Sequence, residues 1–400
     1  MSENQFHLAR DRRGGIGCVF SDTRAATVSD ASKKTLLLIG GGNAHVELLR
    51  QLAIEPAPQH DIALFDPAPS VWFSAMLPGV IAGHYQPSAA KINLWALCQR
   101  ARVRFIQASI TEVIADLQRV KVSTGESHFY DYLSLDIGSI SRPIPATPGS
   151  YVVPVKPTDT LLSAIAERES IRSTSLKLSV VGGGASAVEI ALALAYRWRD
   201  APEKKITLVT EGALLSEFSS RAAAAARTAC KRLGVAVQED MRVEQIEPTR
   251  LRLSGNKQLE TQITILATGA APPELLSKIN VQLADDGYVA VNSGLQSRSH
   301  KNVFAAGDCA TNPKLVVPKS RVYAVRQGPL LASNLMAMMR GKSLESYVHD
   351  EKALSLISLG DKRAIAARNG WSVSGSWLWH WKNRVDQKWI EHYAFDAEKR

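Results

Sequence analysis

A chain of 400 residues is long enough for two or three domains, each with its own core. Hydrophobic residues at 45% and charged residues at 22% are ordinary globular composition and exclude wholesale disorder. The net charge of +10 calls for an anionic partner, such as nucleotide phosphates, a membrane surface or nucleic acid, without choosing among them.

Cysteine usage narrows the chemistry. Cys18, Cys98, Cys230 and Cys309 are far apart and contain no C-x-x-C pair, so a redox disulfide between neighbouring thiols is not expected. A reducing, cytoplasmic compartment is the simplest setting. No early apolar run reads as a signal peptide, and no uncharged run is long enough to span a bilayer. Residues 1–34 are polar, without sustained periodicity, and read as a flexible N-terminal extension or a start placed too early. Glu3, Asp11, Asp22 and Asp30 argue against an organellar transit peptide. The histidines show no metal-ligand spacing with cysteine, so no metal is expected.

From Thr35 the order is a strand, the glycine turn Gly40-Gly41-Gly42, a helix over about Val46 to Ala53 and a second strand, Asp61 to Phe65. Gly40 and Gly42 sit where a missing Cβ lets the turn close and lets backbone N–H groups approach a diphosphate at the helix start. His45 stands where a third Gly or Ala is usual. Asp66 closes the second strand, at the spacing where an acid accepts from a ribose; its bland reading is a turn aspartate before Pro67. Ser74 to Gly79 is an apolar Pro-Gly segment. Short strands follow at Val103 to Ile106, Ile110 to Ile114, Val120 to Ser123 and Tyr132 to Leu135, read together as a small antiparallel layer. Pro143, Pro145, Pro148 and Gly149 mark a junction.

After the junction the first pattern recurs. Leu178 to Val181 is a strand, Gly182-Gly183-Gly184-Ala185-Ser186-Ala187 has the G-x-G-x-x-A form, Val188 to Arg197 is a helix, and Ile206 to Val209 leads to Thr210 and Glu211. Two such turns, each followed by a strand that ends at an acid, are hard to attribute to chance. Arg221 to Leu233 reads as an Ala-rich packing helix. Strands at Leu251 to Leu253 and Thr261 to Leu266 follow, the latter running into Ala267-Thr268-Gly269; Val303 to Ala306 delivers Gly307-Asp308 to a sheet edge. The fold read from these patterns is α/β, with two Rossmann-like units.

G-G-G-N-A-H at 40–45, G-G-G-A-S-A-V-E at 182–189, A-T-G at 267–269 and A-G-D-C-A at 306–310 resemble, in that order, the two-dinucleotide-domain flavoprotein superfamily. Its members include type II NADH dehydrogenases, sulfide:quinone reductases and pyridine-nucleotide disulfide reductases. The resemblance implies FAD- and NAD(P)-binding domains, the second inserted in the first: 35–148 and 273–340 for FAD, 149–272 for NAD(P)H. Residues 341–400 remain as a C-terminal α+β segment for an interface or membrane association. Carried over by position, Gly40, Gly42, Asn43, Ala44 and His45 would meet the FAD diphosphate, with helix capping as the alternative for His45. Asp66 would meet the adenosine ribose, Gly307 and Asp308 the ribityl region, and Gln327 would lie close by. Gly182, Gly184, Ala187 and Gly269 would hold NAD(P)H, with Glu211 or Thr210 near its ribose and Glu189 at the flavin–nicotinamide contact as the catalytic candidate.

A closer resemblance lies in F-S-A-M-L-P-G, L-S-L-D-I-G-S (133–139), P-V-K-P (154–157), Y-A-V-R-Q-G-P (323–329) and W-L-W-H-W-K (377–382), which look like the flavoprotein module fused ahead of selenophosphate synthetase. Two departures stand out. Asp136 occupies the place of a small residue in the usual A-T-G-S exit, and Val322 and Arg326 replace both glutamines of the type II quinone motif. The expected activity is that of an FAD-dependent NAD(P)H oxidoreductase passing electrons to a quinone or other small acceptor. Selenium or sulfur metabolism, and a non-catalytic flavin-bound redox sensor, are the alternatives. Lys156, in a Pro-rich linker, could reach the active-site mouth but reads first as a solvated lysine. In the tail, Leu378, Trp381, Val385 and Trp389 form one apolar helical stripe beside cations, fitting either peripheral membrane contact through 377–390 or a domain or homodimer interface. No aromatic–basic module for nucleic acid is evident.

Overall fold

The computed structural model describes residues 33–170, 175–201, 203–315, 319, 321–348 and 353–393, so nearly all of the expected extension over 1–34 lies outside the described residues. The first unit is built on a five-stranded parallel sheet in the order Val303–Ala305, Tyr132–Leu135, Lys34–Ile39, His60–Asp66, Arg104–Gln107. Leu36 and Leu38 join the apolar cluster on one face and Leu37 and Ile39 the cluster on the other. A strand covered on both faces has no polar side to show, which is why this segment reads as an unbroken apolar run.

The second sheet repeats the arrangement: Val152–Pro154, Ile263–Leu266, Ser175–Val181, Glu203–Val209, Val235–Gln238, again all parallel. All five of its strands fall in sequence between Leu135 and Val303 of the first sheet, as an inserted unit requires. In each sheet the central strand runs into the glycine turn and a helix, Asn43–Ile54 or Ala185–Arg197. Each unit also carries a three-stranded antiparallel layer. In the first it comprises Ile110–Ile114, Arg119–Val122 and Ser127–Phe129; in the second, Val243–Glu247, Arg250–Leu253 and Lys257–Glu260.

Two strands expected in that first layer belong elsewhere. Arg104–Gln107 is an edge of the parallel sheet and Tyr132–Leu135 lies beside its central strand. Short apolar runs do not tell a half-covered strand from a fully covered one, and Tyr132–Leu135 is buried along its whole length.

The C-terminal segment is an antiparallel sheet, Ser355–Ser358, Ala364–Arg368 and Trp371–Gly375, followed by the helix Ser376–Tyr393. The expected stripe along that helix is corrected. Leu378 is buried, but Trp381 and Val385 are exposed, and the inward face carries Leu378, Trp379, Lys382, Asp386 and Tyr393 instead. Lys382 and Asp386 are buried because they pair one helical turn apart, while Lys382 Nζ also donates to the carbonyl of Ala75 at 2.7 Å. Trp389 stacks on Phe73, with ring centroids 3.9 Å apart and planes inclined by 12°. Tyr393 donates to Glu47 Oε2 at 2.7 Å. The helix is therefore fixed to the first unit over the apolar segment 73–81. Among the described residues no helix is long and apolar enough to cross a membrane.

Candidate dinucleotide sites

The first glycine turn is closed by backbone. Gly40 has φ +86, and a Cβ there would lie 2.5 Å from the carbonyl oxygen of Asp136; Gly182 repeats this with φ +141 and 2.2 Å to the carbonyl of Ala267. Only glycine fits such a positive φ against backbone. The strands ending at Asp136 and Ala267 are thus structural counterparts.

Asp66 ends its strand beside this turn. Its Oδ2 accepts from Gly41 N–H at 2.7 Å and its Oδ1 from Ala68 N–H at 2.9 Å. Each oxygen keeps a lone pair, so the carboxylate holds the loop and can still accept from a hydroxyl. Asn43 is the first helical residue and half-buried, and Ala44 is fully buried.

His45 turns inward between the helix and the sheet. It is 0% exposed; its Nδ1 lies 2.6 Å from the Gly40 carbonyl and its Nε2 2.7 Å from Ser134 Oγ. Because a carbonyl only accepts, Nδ1 carries the hydrogen and Nε2 accepts from the serine hydroxyl. Burial lowers its pKa to about 4, so the ring is neutral. Both ring nitrogens are therefore engaged inside the protein, a structural role for the side chain. It ties the helix to the sheet where a third glycine would have let them touch.

Across from the turn, Gly307 N–H donates to Gln327 Oε1 at 2.7 Å. Asp308 Oδ2 accepts from Ser139 Oγ and from Lys156 Nζ, each at 2.8 Å. Lys156 also donates to Ser139 Oγ at 2.8 Å, so it is no free surface lysine. Its partners lie far off in the chain; the one available signal was its place between two prolines just past a sheet strand. Asp136 stands between the two halves of this site. Its Oδ2 accepts from Ala44 N–H at 2.7 Å and His45 N–H at 3.1 Å. Burial first, then the like charge of Asp308, push its carboxyl up to about 7 against the pull of those two N–H donors.

At the second turn the helix start is open. Gly184 occupies the N-cap with no side chain bonded to the first N–H groups, and nothing lies within 4 Å of where its Cβ would be. Ala187 is fully buried and packs under Gly182. Glu211 is exposed at the end of its strand, whereas Thr210 is buried with Oγ1 against Gly183. Gly269 accepts from Arg142 N–H at 2.9 Å, and its Cα faces the Arg142 guanidinium. Glu189, one turn into the helix Ala185–Arg197, is 6% exposed and its Oε1 accepts from Ser358 N–H at 2.8 Å, linking the second unit to the C-terminal sheet. Cys98, Cys230 and Cys309 are buried and unpaired; burial pushes the Cys309 thiol up to about 12, which suits packing and not redox exchange.

Each helix start stands at the C-terminal edge of a parallel sheet, where a diphosphate is held, the second open and the first shared with the Asp136 carboxyl. Known proteins share this plan. Ferroptosis suppressor protein 1 of Xenopus tropicalis is 26% identical over 306 residues, 72% of this chain and 78% of its own. Demethylphylloquinone reductase NdbB of Synechocystis is 24% identical over 369 residues, 87% of this chain and 90% of its own. The structure of NDH2 from Plasmodium falciparum in complex with NADH superposes with a TM-score of 0.74 at 16% identity, over 90% of this chain and 97% of that one, a likeness of fold. The family model described as pyridine nucleotide-disulphide oxidoreductase matches residues 34–328, and the chain belongs to that family.

Proposed function

We propose that this protein is an FAD-dependent NAD(P)H oxidoreductase that delivers electrons to a quinone or a similar small acceptor. The observation that carries the reading is the duplicated glycine turn, each copy at the C-terminal edge of its own sheet, with Gly307-Asp308 brought to the first copy and Ala267–Gly269 to the second. FAD is assigned to 35–148 and 273–340 and NAD(P)H to 149–272. The bound cofactors supply the hydride chemistry, and the protein supplies binding and orientation. Gly40, Gly42 and the start of the Asn43–Ile54 helix hold the FAD diphosphate, Asp66 the adenosine ribose, and Asp308, steadied by Lys156 and Ser139, the ribityl hydroxyls. Gln327 braces Gly307 from the opposite helix. Gly182, Gly184, Ala187 and Gly269 form the NAD(P)H cradle, with Glu211 reaching the ribose from the surface. Glu189, its carboxylate steadied by Ser358 N–H, is the catalytic candidate at the flavin–nicotinamide contact.

Quinone as acceptor rests on relatives named for quinone chemistry, NdbB among them. A second reading, an acceptor from selenium or sulfur metabolism, is favoured by where the finer resemblance converges. Asp136 and Ser139, Lys156, and Gln327 come from three of its strings and meet around Gly307-Asp308, while a fourth, W-L-W-H-W-K, places Lys382 on Ala75 of the fifth. Peripheral contact with a membrane, or with a second copy, falls to Trp377, Trp381 and Val385, which the helix Ser376–Tyr393 leaves exposed beside Arg384 and Lys388. Stopped-flow reoxidation of the NADH-reduced protein separates these readings. A water-soluble quinone is expected to restore the oxidised flavin spectrum fastest. Faster recovery with a selenium or sulfur compound would move the protein to the second reading, and reduction without turnover on any acceptor would mark a redox sensor.

A further inference from the structure

Asp136 is 3% exposed and follows the strand Tyr132–Leu135, at the place where the second sheet has Ala267. The two glycine turns therefore differ in one respect. At the second, the helix start is open; at the first, a carboxyl already sits on Ala44 N–H and His45 N–H. Its Cγ lies 2.2 Å from the position a Gly42 Cβ would take, and its Oδ1 2.9 Å from that of Gly307. The carboxyl is thus wedged between the helix start, which holds the diphosphate in the proposed function, and the Gly307-Asp308 turn.

An ionised carboxylate in that wedge meets the diphosphate as a like charge in a dry setting. Ala44 N–H and His45 N–H favour the ionised form, but among the described residues no cation is paired with it. From the Gly307–Cys309 turn come Asp308 and Cys309, the first an acid and the second a buried thiol. The helix Asn43–Ile54 presents His45, whose ring is neutral and turned to Gly40 and Ser134. The helix Arg321–Met339 presents Gln327, a neutral amide. Of the cations by Asp308, Lys156 is engaged by Asp308 and Ser139, and Lys319, whose charge also acts on Cys309, by the Ala310 carbonyl and Thr311.

We infer that Asp136 is a ligand of the FAD diphosphate in its neutral form, donating its O–H to a phosphate oxygen and taking one proton from solvent as the flavin binds. The inference rests on FAD occupying the first turn. Burial, with the like charge of Asp308, pushes the carboxyl up to about 7, so the proton is largely in place below that pH and has to be recruited above it. Linkage then weakens FAD binding by about tenfold per pH unit on the alkaline side.

Dilution of the full-length holoprotein, with FAD release followed by flavin fluorescence, gives Kd across about pH 6 to about pH 9. Kd is expected to stay level up to near neutrality and then climb about tenfold per unit, with close to one proton taken up per FAD rebound at the alkaline end, read by an indicator dye. Asp136→Asn, which carries permanent N–H donors, and Asp136→Ala, which copies Ala267 of the repeat, both remove the slope. NADH binding at the second unit stays level throughout. A wild-type Kd without slope, rebinding without proton uptake, or an unchanged slope in Asp136→Asn would overturn the assignment; if the variants fail to fold, the wild-type slope and proton count still decide. No FAD binding at any pH would instead overturn the cofactor reading itself.

Discussion

His45 shows how one side chain can take over the work of a missing glycine. A helix and a strand that cannot touch leave backbone groups between them, and a buried carbonyl without a donor costs about 1–3 kcal/mol. The imidazole fills the gap and satisfies both the Gly40 carbonyl and the Ser134 hydroxyl. It does so only while neutral. In the unfolded chain the ring titrates at its ordinary 6.5, in the folded one at about 4, so the unfolded state takes up a proton that the folded state refuses. Stability is therefore full above 6.5 and declines as pH falls toward 4, by on the order of 3 kcal/mol from this residue. Urea denaturation of the wild type and of His45→Ala, measured side by side at both ends of that window, checks this. The variant is expected to be less stable by about 2–3 kcal/mol at neutral pH and to lose most of the difference at the acid end. A difference that does not shrink would contradict the neutral-ring role.

At the scale of elements, the helix Ser376–Tyr393 has two apolar faces, and only one of them is used by the fold. Trp389 and Leu378 face inward with the Lys382–Asp386 pair, while Trp377 and Trp381 face solvent, 60% and 42% exposed. Trp389→Ala is expected to cost about 3 kcal/mol of unfolding free energy, because it strips the stack on Phe73 and leaves a cavity. The double change Trp377→Ala, Trp381→Ala is expected to leave stability within about 0.5 kcal/mol. It should also reduce sedimentation of the protein with anionic vesicles, or the dimer fraction if the face meets a second copy. Equal stability losses in the two variants would mean that the helix docks differently. Legibility in the sequence follows the same line. The glycine turns, the strands running into them and the acids at Asp66 and Asp308 were readable because local pattern and backbone sterics dictate them. The inward face of this helix was not, since the burial of Lys382 and Asp386 depends on their finding each other and Ala75. The partners of Lys156 and Glu189 were not legible for a like reason: Asp308 and Ser358 are brought to them only by the finished fold.

For the whole molecule, the duplication does the organising. Four strands of each sheet take the same order around the central strand, the outer edge strand coming last in the chain in the first sheet and first in the second, and each sheet delivers its glycine turn, its exit beside that turn and its antiparallel layer to matching places. The copies have diverged at single positions: His45 against Ala187 under the turn, and Asp136 against Ala267 beside it. A protein with two like nucleotide sites has one economical use for them, passing electrons from one bound dinucleotide to the other before they leave for an acceptor. Anaerobic titration of the purified or FAD-reconstituted protein with NADH tests that claim most directly. The visible flavin band is expected to bleach in proportion to the NADH added, at about one nicotinamide per flavin, and to return when a quinone is introduced. A protein that takes up no flavin, or a flavin band that NADH and NADPH both leave unchanged, would contradict it.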